Sequence, residues 1–111
     1  MATTYKILGQ LNPAASYGGT TALYTVPSGK QCVVSSLVIC NQYTAANYRI
    51  AVRPASQGTT TDVKNWIVYG ATVGASDTTV ITPGITLAAG DTVWAYGSTG
   101  SVSFSIFGTE L

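Results

Sequence analysis

QCVVSSLVICN, residues 31–41, is the longest apolar run in the chain and contains its only two cysteines, Cys32 and Cys40. Valine, isoleucine and leucine fill most of it, and both alternating faces of residues 33–40 are apolar. A run with these properties is typical of a central β-strand that is buried on both sides. We therefore predict a β protein built around this strand.

The spacing of the cysteines predicts their state. On one continuous strand Cys32 and Cys40 share a face and lie ~27 Å apart, at about 3.4 Å per residue, whereas a disulfide needs Cα atoms within about 7 Å. A bulge at Ser35–Ser36 would bend the strand without reversing it. We expect two reduced, buried cysteines that act as small hydrophobic residues. The alternative is an intermolecular disulfide at whichever cysteine proves exposed.

The rest of the chain also follows a β pattern. No sustained apolar repeat of helical period is present, and Gly, Pro, Asn and Asp recur at short intervals. PSGK (27–30) and TPGIT (82–86) have the composition of tight turns, while residues 12–19 and 53–62 are typical of surface loops. Eight strands are predicted: 4–10, 21–26, 31–41, 48–53, 65–69, 78–82, 92–96 and 101–107. They favour one all-β domain over residues 1–111, an antiparallel two-sheet sandwich of the jelly-roll kind.

Charge is scarce in this chain. Charged residues make up 8% of the sequence and the formal net charge is +1, whereas a designed soluble surface carries about 25–35%. Either the protein has a neutral β surface, or neighbouring subunits in a stable assembly cover part of it. We favour the assembly. A net charge near zero gives no general attraction to nucleic acid or to an anionic membrane.

Catalytic chemistry has few candidate residues. The chain has no histidine and four acidic residues, which removes histidine-based triads and histidine metal ligands. Three of the four acids stand at turns that open strands, where aspartate is expected as a turn former. No phosphate-binding or dinucleotide-binding glycine motif is present. We expect no enzymatic activity, no metal and no cofactor. The first ten residues also lack the features of a secretory signal.

Seven residues are candidates for an interface: Tyr5, Lys6, Arg49, Arg53, Trp66, Trp94 and Tyr96. The first two belong to residues 3–10, a candidate contact strand. The two arginines share one strand face over ~13 Å, as a solvated outer face or edge or as a ridge that docks on a partner's acidic patch. The three large aromatics either pack a sheet or subunit interface or stack on a sugar.

Several segments together resemble a family of small structural proteins of tailed bacteriophages, among them phages of cyanobacteria. They are TTYKILGQLNPAA, ALYTVPSG, VVSSLVICN, YRIAVRP and LAAGDTVWAYGSTGSVSFSIFGTEL. The resemblance covers nearly the whole chain and is weakest across residues 55–76. It implies a protein of the assembled virion that is present in many copies. It carries over no functional residue.

These observations lead to one leading hypothesis. It is a capsid decoration or cement protein that is assembled in the bacterial cytoplasm, binds the capsid exterior and stabilises contacts between capsomers. Its expected partners are the major capsid protein or other virion proteins, and we expect a homo-oligomer, dimeric or trimeric, without nucleic acid or membrane. The alternative is a tail or tail-fibre component, with or without a role in binding host-surface glycans. A more distant alternative is a free-standing lectin-like module.

Overall fold

The computed structural model describes residues 4–13, 21–57 and 60–111. Most of the predicted 12–19 loop, residues 58–59 of the second loop and residue 3 of the predicted contact strand therefore lie outside the described residues. The strands in the described part are β1 (Thr4–Leu11), β2 (Thr21–Thr25), β3 (Cys32–Asn41), β4 (Ala46–Arg53), β5 (Trp66–Val73), β6 (Thr78–Ile81), β7 (Ile85–Leu87), β8 (Thr92–Gly97) and β9 (Val102–Glu110). Two short 3-10 helices, Ala55–Gln57 and Val63–Asn65, lie between β4 and β5.

These strands form two antiparallel sheets. One sheet has the order β1-β9-β3-β6, with β7 also paired to β3, and the other has the order β2-β8-β4-β5. Because β6 and β7 follow one another along the same edge of β3, they act as one interrupted strand. The two sheets then have the strand order of an eight-stranded jelly roll. The predicted all-β sandwich of the jelly-roll kind is confirmed.

Strand β7 is the strand that the sequence prediction missed, and the two short 3-10 helices were not predicted either. TPGIT was predicted as a turn, but its last residues belong to β7, which pairs with Cys32–Val34 while β6 pairs with Leu37–Cys40. Pro83 has no N–H to donate to β3, and Gly84 has a φ of 62°. These two residues interrupt the hydrogen-bonded ladder without reversing the chain.

The core lies between the two sheets. In β9 the side chains of Val102, Phe104 and Ile106 are fully buried, as the alternation of this segment with serines predicts. Phe104 meets Tyr48 of the opposite sheet in an edge-to-face contact with ring centroids 6.3 Å apart. Contacts of this kind join the two sheets through an apolar interior.

A bulge in β3 changes the prediction for the cysteines. Val34 is paired with Gly108 and Ser36 with Phe107, so Ser35 is an extra residue in the ladder. A single extra residue reverses the alternation of faces. Cys32 is consequently buried in the core, whereas Cys40 lies half-buried on the outer face, and both are free thiols.

Two sequence predictions about this strand are therefore wrong. The cysteines do not share a face, and Cys40 is not fully buried. The outer face of β3 is not covered either, because Val33 is 37% exposed and Val38 is only half-buried. The strand is central in its sheet, but it is fully buried on one side alone.

Asn41 ties together the loops at one end of the sandwich. Its side chain is 1% exposed, and its Nδ2 donates to the carbonyl oxygens of Thr44 at 2.7 Å and Gly74 at 3.1 Å. Its Oδ1 accepts from the Tyr43 N–H at 3.2 Å and from the Ser101 hydroxyl at 2.7 Å. The last residue of β3 thus holds three chain segments through one amide.

At the other end of the sandwich, a buried carboxylate, that of Glu110, connects β9 to β1 and β2. Glu110 accepts a hydrogen bond from the Tyr24 hydroxyl at 2.6 Å and forms an ion pair with Lys6 at 2.6 Å. These hydrogen bonds, from Lys6 and then Tyr24, keep the pKa of Glu110 below its usual range. Burial, aided by the bond to Glu110, raises the pKa of Tyr24. Burial also raises the pKa of the neighbouring Cys32 thiol.

Candidate functional site

The outer face of the four-stranded sheet gathers five of the seven predicted interface residues, together with one that was not predicted. We name this surface the arginine–aromatic face. Its members are Arg49, Arg53, Trp66, Tyr69, Trp94 and Tyr96. Arg49 and Arg53 belong to β4, the tryptophan and tyrosine at 66 and 69 to β5, and the pair at 94 and 96 to β8.

Strand register arranges these side chains in rows. Arg49 lies directly opposite Tyr96 of β8 on one side and Tyr69 of β5 on the other. One row further along, Ala51 lies opposite both Trp94 and Trp66. Directly opposed Cβ atoms are about 5 Å apart. Arg49 and Ala51 are therefore each flanked by two aromatic side chains.

Two bulges in β5 create this arrangement. The ladder with β4 skips Ile67 and Gly70, so Trp66 and Tyr69 point to the same outer face although they are three positions apart. Gly70 has a φ of 77°, a conformation that glycine adopts without steric cost. β5 is also an edge strand, where bulges commonly re-aim side chains and discourage further pairing.

Arg49 is held between two tyrosines. Its Cζ lies 4.2 Å from the centroid of the Tyr69 ring and 4.8 Å from that of Tyr96. Both distances are within the range of cation–π attraction, about 6 Å. Trp66 contacts Tyr69 edge-on, with ring centroids 5.3 Å apart. The stacked rings hold the guanidinium of Arg49 in place, and it forms no ion pair with any described residue.

Arg53 is more deeply enclosed. It is 3% exposed, and its Cζ lies 3.8 Å above the Trp94 ring. Its Nε and Nη1 are buried and have no hydrogen-bond partner among the described residues. The hypothesis of a solvated edge is wrong for this residue, because β4 is an inner strand of its sheet and the guanidinium is covered. An unpaired buried cation is costly in a folded protein.

A depression of about 480 Å³ opens beside these side chains and is lined by Val63, Trp66 and Tyr69. Val63 is 91% exposed and Tyr69 is 63% exposed, while Trp66 is half-buried. The 3-10 helix that presents Val63 is fixed by Asn65, whose Oδ1 accepts the Asp62 N–H at 2.7 Å. Aromatic surface is thus available to a ligand, because these rings are not sealed in the core.

The arginine–aromatic face has an excess of positive charge. Its strands contribute two guanidinium groups and no carboxylate. Asp62 and Lys64, which flank Val63, are exposed and of opposite sign. Asp91, just before β8, uses its carboxylate to accept the N–H groups of Ala55 at 2.9 Å and Ala88 at 2.8 Å. Within the described ranges the ion pair found is Lys6–Glu110, at a different place in the fold.

The opposite sheet presents a surface of different chemistry, which we name the uncharged face. Its members are Tyr5, Ile7, Gln10, Val33, Ser36, Val38, Cys40, Thr78, Val80, Thr86, Ser103, Ser105, Phe107 and Thr109. Tyr5 is 83% exposed, Val80 59% and Ile7 55%. No member carries a charge. Apolar side chains in rows with serine and threonine hydroxyls therefore cover this face.

The predicted interface residues fall into three groups. Arg49, Arg53 and the three predicted aromatics come together on the arginine–aromatic face, and Tyr5 lies on the uncharged face. Lys6 is turned to the ion pair with Glu110. Tyr69 and Val63 were not singled out from the sequence. Gly70 is the one local signal for Tyr69, because a glycine inside a strand pattern often marks a bulge.

No cluster of three or more Cys, Asp or Glu side chains placed to hold a metal ion occurs in residues 4–13, 21–57 and 60–111. Over the same residues, no helix has the length and apolar character needed to cross a membrane.

Comparison with known proteins gave no match: no protein-family model, no curated protein and no solved structure is significantly similar to this chain.

Proposed function

We propose that this chain is a structural protein of a bacteriophage virion, a decoration or cement protein that binds the capsid exterior. The observation that carries the proposal is the uncharged face. An exposed sheet surface with this much apolar area and no charge is suited to burial against another protein. The resemblance of the sequence to small phage structural proteins supports the same function.

The size of the uncharged face suits this role. Four strands spaced about 4.8 Å apart, with up to ten residues in a strand at about 3.4 Å each, span roughly 20 Å by 34 Å. A standard protein interface buries about 800 Å² of accessible surface on each partner. The accessible surface of the uncharged face is close to this value, because protruding side chains add to its flat outline. Burial against two neighbouring capsomers at once would join them, and many copies would add their effects.

The jelly-roll fold is compatible with this proposal without requiring it. Jelly rolls occur in viral capsid proteins and in lectins, and a fold by itself does not define a function. The candidate functions are therefore distinguished by the chemistry of the two surfaces and not by the fold. The expected dimer or trimer remains a prediction that sedimentation of the purified protein would test.

The test uses phage particles that contain the protein. Mass spectrometry of separated heads and tails should find the chain in heads, and gold-labelled antibodies should decorate the capsid surface. Val80→Glu places a charge in the uncharged face and should reduce incorporation into particles at least tenfold. Tyr43→Glu is the matched control, because Tyr43 is 75% exposed in the β3–β4 turn and lies outside this face.

Both variants should melt within a few degrees of the unaltered protein, since both side chains are exposed. The cement proposal fails if heads lack the chain. It also fails if folded Val80→Glu protein is incorporated as well as the Tyr43→Glu control.

The second candidate is a tail or tail-fibre component that touches host glycans. The specific observation in its favour is the depression of Val63, Trp66 and Tyr69, which offers aromatic surface to a ligand. Finding the chain in tails rather than heads, together with saccharide binding by the purified protein, would support this candidate over the first.

A further inference from the structure

We propose that the arginine–aromatic face binds a saccharide that carries a carboxylate, such as a uronic or sialic acid unit. The sugar ring would lie in the depression of Val63, Trp66 and Tyr69, and its carboxylate would pair with Arg49. The inference rests on the second candidate function and names its ligand class. It does not depend on the capsid proposal, which concerns the opposite sheet.

The shape and lining of the depression favour a sugar ring. Its volume of about 480 Å³ is within the range of small-molecule sites, about 300–1,000 Å³. Trp66 and Tyr69 meet edge-on, so their rings form two walls at an angle. Val63, almost fully exposed on a short helix, adds an apolar rim. Aromatic walls with an apolar rim match the C–H faces of a sugar.

The charges favour a carboxylate on that sugar. Tyr69 lines the depression and its ring also stacks with Arg49, so one side chain separates the guanidinium from the depression, and a carboxylate that extends past the Tyr69 ring would meet it. Tyr96 stacks on Arg49 as well, which restricts its movement before a ligand arrives. A guanidinium held in advance loses less entropy when it pairs with a carboxylate. No carboxylate on the strands of this face competes for it.

Arg53 strengthens the local positive potential. It is buried on the same strand face, with Nε and Nη1 unpaired among the described residues. Charge in a poorly hydrated environment is less screened than charge in water. Of the charges that flank the depression, Asp62 and Lys64 are exposed and offset one another. The net field at the depression is therefore attractive for an anion.

An acidic protein segment is a less suitable occupant. Among the described residues, three line the depression, and it has the size of a single small ligand, whereas protein partners cover broad surfaces of about 800 Å². An acidic peptide nevertheless shares the carboxylate chemistry. It is included in the test as a competing outcome.

The test is a binding titration of the purified protein, in which binding is measured by calorimetry and by tryptophan fluorescence. The probes are oligogalacturonate, oligomannuronate, hyaluronate oligomers and sialyllactose, each beside its carboxyl-reduced form, and a polyglutamate peptide. We expect at least one acidic saccharide to bind ten or more times tighter than its reduced form. Its affinity should fall as salt rises.

Arg49→Gln and Tyr69→Ser should each weaken that binding at least tenfold. Lys30→Gln is the matched control, because it removes one positive charge from the exposed β2–β3 turn, away from this face. Should Arg49→Gln fold poorly, Tyr69→Ser decides the matter, since Tyr69 is 63% exposed and its loss leaves the core intact.

The alternative outcomes separate the proposals. Equal binding of acidic and reduced saccharides overturns the carboxylate inference and leaves glycan binding standing. Tighter binding of polyglutamate overturns the saccharide assignment. Binding of no saccharide at all overturns both the inference and the second candidate function, while the capsid proposal is still judged on particles.

Discussion

Asn41→Asp replaces one buried atom and should strongly destabilise the fold. The Asn41 Nδ2 donates to two carbonyl oxygens at 2.7 and 3.1 Å, with a third, that of Val73, at 3.5 Å. Aspartate puts an acceptor oxygen where this donor stood, so both short hydrogen bonds are lost and oxygen faces oxygen. Each lost bond costs about 1 kcal/mol, and a carbonyl left buried without a donor adds about 1–3 kcal/mol.

The sum predicts a loss of about 3–5 kcal/mol in the free energy of unfolding at pH 7. The loss should shrink as the pH falls. Burial and the facing carbonyls raise the pKa of the new carboxyl above its unfolded value of about 3.9. Between those two pKa values the folded state holds a proton that the unfolded state has released, so stability decreases as the pH rises through this window.

The assay is urea denaturation of the Asn41→Asp and Asn41→Ala proteins at pH 7 and pH 4.5, each compared with the unaltered chain. Asn41→Ala also loses the hydrogen bonds but introduces no charge, so its deficit should be the same at both pH values. The reasoning is refuted if Asn41→Asp costs less than ~1 kcal/mol at pH 7, below the expected cost of its lost bonds. It is also refuted if the Asn41→Asp deficit does not fall with pH relative to Asn41→Ala.

Two further substitutions test other parts of the fold. Glu110→Gln weakens the contacts with Lys6 and Tyr24 and should cost about 1–3 kcal/mol at pH 7. Because the pKa of Glu110 is held low, this difference in unfolding free energy should be present above pH ~4.3 and disappear as the pH falls through the folded-state pKa. Urea denaturation curves that show no such trend would contradict a stabilising role for the Glu110 carboxylate. Gly108→Ala would drive a Cβ into a carbonyl oxygen of β3 and should lower the melting temperature by several degrees. Gly100→Ala, whose Cβ meets open space, is its control, and equal melting of the two variants would refute the steric argument.

Local alternation predicted much of the fold. In β9 apolar residues and serines alternate from Val102 to Ile106, so the core face of this part of the strand could be read directly from the sequence. In β4 and β8 the same rule assigns Arg49 and Arg53 to one strand face and Trp94 and Tyr96 to one strand face, and in the structure both faces lie on the outer side of the sheet. A period of two is reliable wherever one residue faces one partner residue.

Bulges account for the faces that alternation assigned wrongly or missed. The extra residue Ser35 moves Cys40 to the surface, and the extra residues Ile67 and Gly70 bring Tyr69 beside Trp66. A bulge depends on the register between two strands that are distant in sequence, so local periodicity does not locate it. The depression and the stacked Arg49 therefore emerge only when β4 and β5 are paired.

Arg53 distinguishes the two surfaces in energetic terms. The uncharged face has no buried charge. Its exposed apolar side chains would be stabilised simply by contact with a partner. On the arginine–aromatic face, a guanidinium that is 3% exposed stacks on Trp94 with two N–H donors unpaired in the described part of the chain. Such stacking contributes ~2 kcal/mol when desolvated, less than the several kcal/mol that burying an unpaired ion costs. A leucine would complete the sheet at lower cost, so the jelly roll does not need this cation. Fold stability therefore does not account for this charge, which is consistent with the proposal that this face binds an anionic ligand.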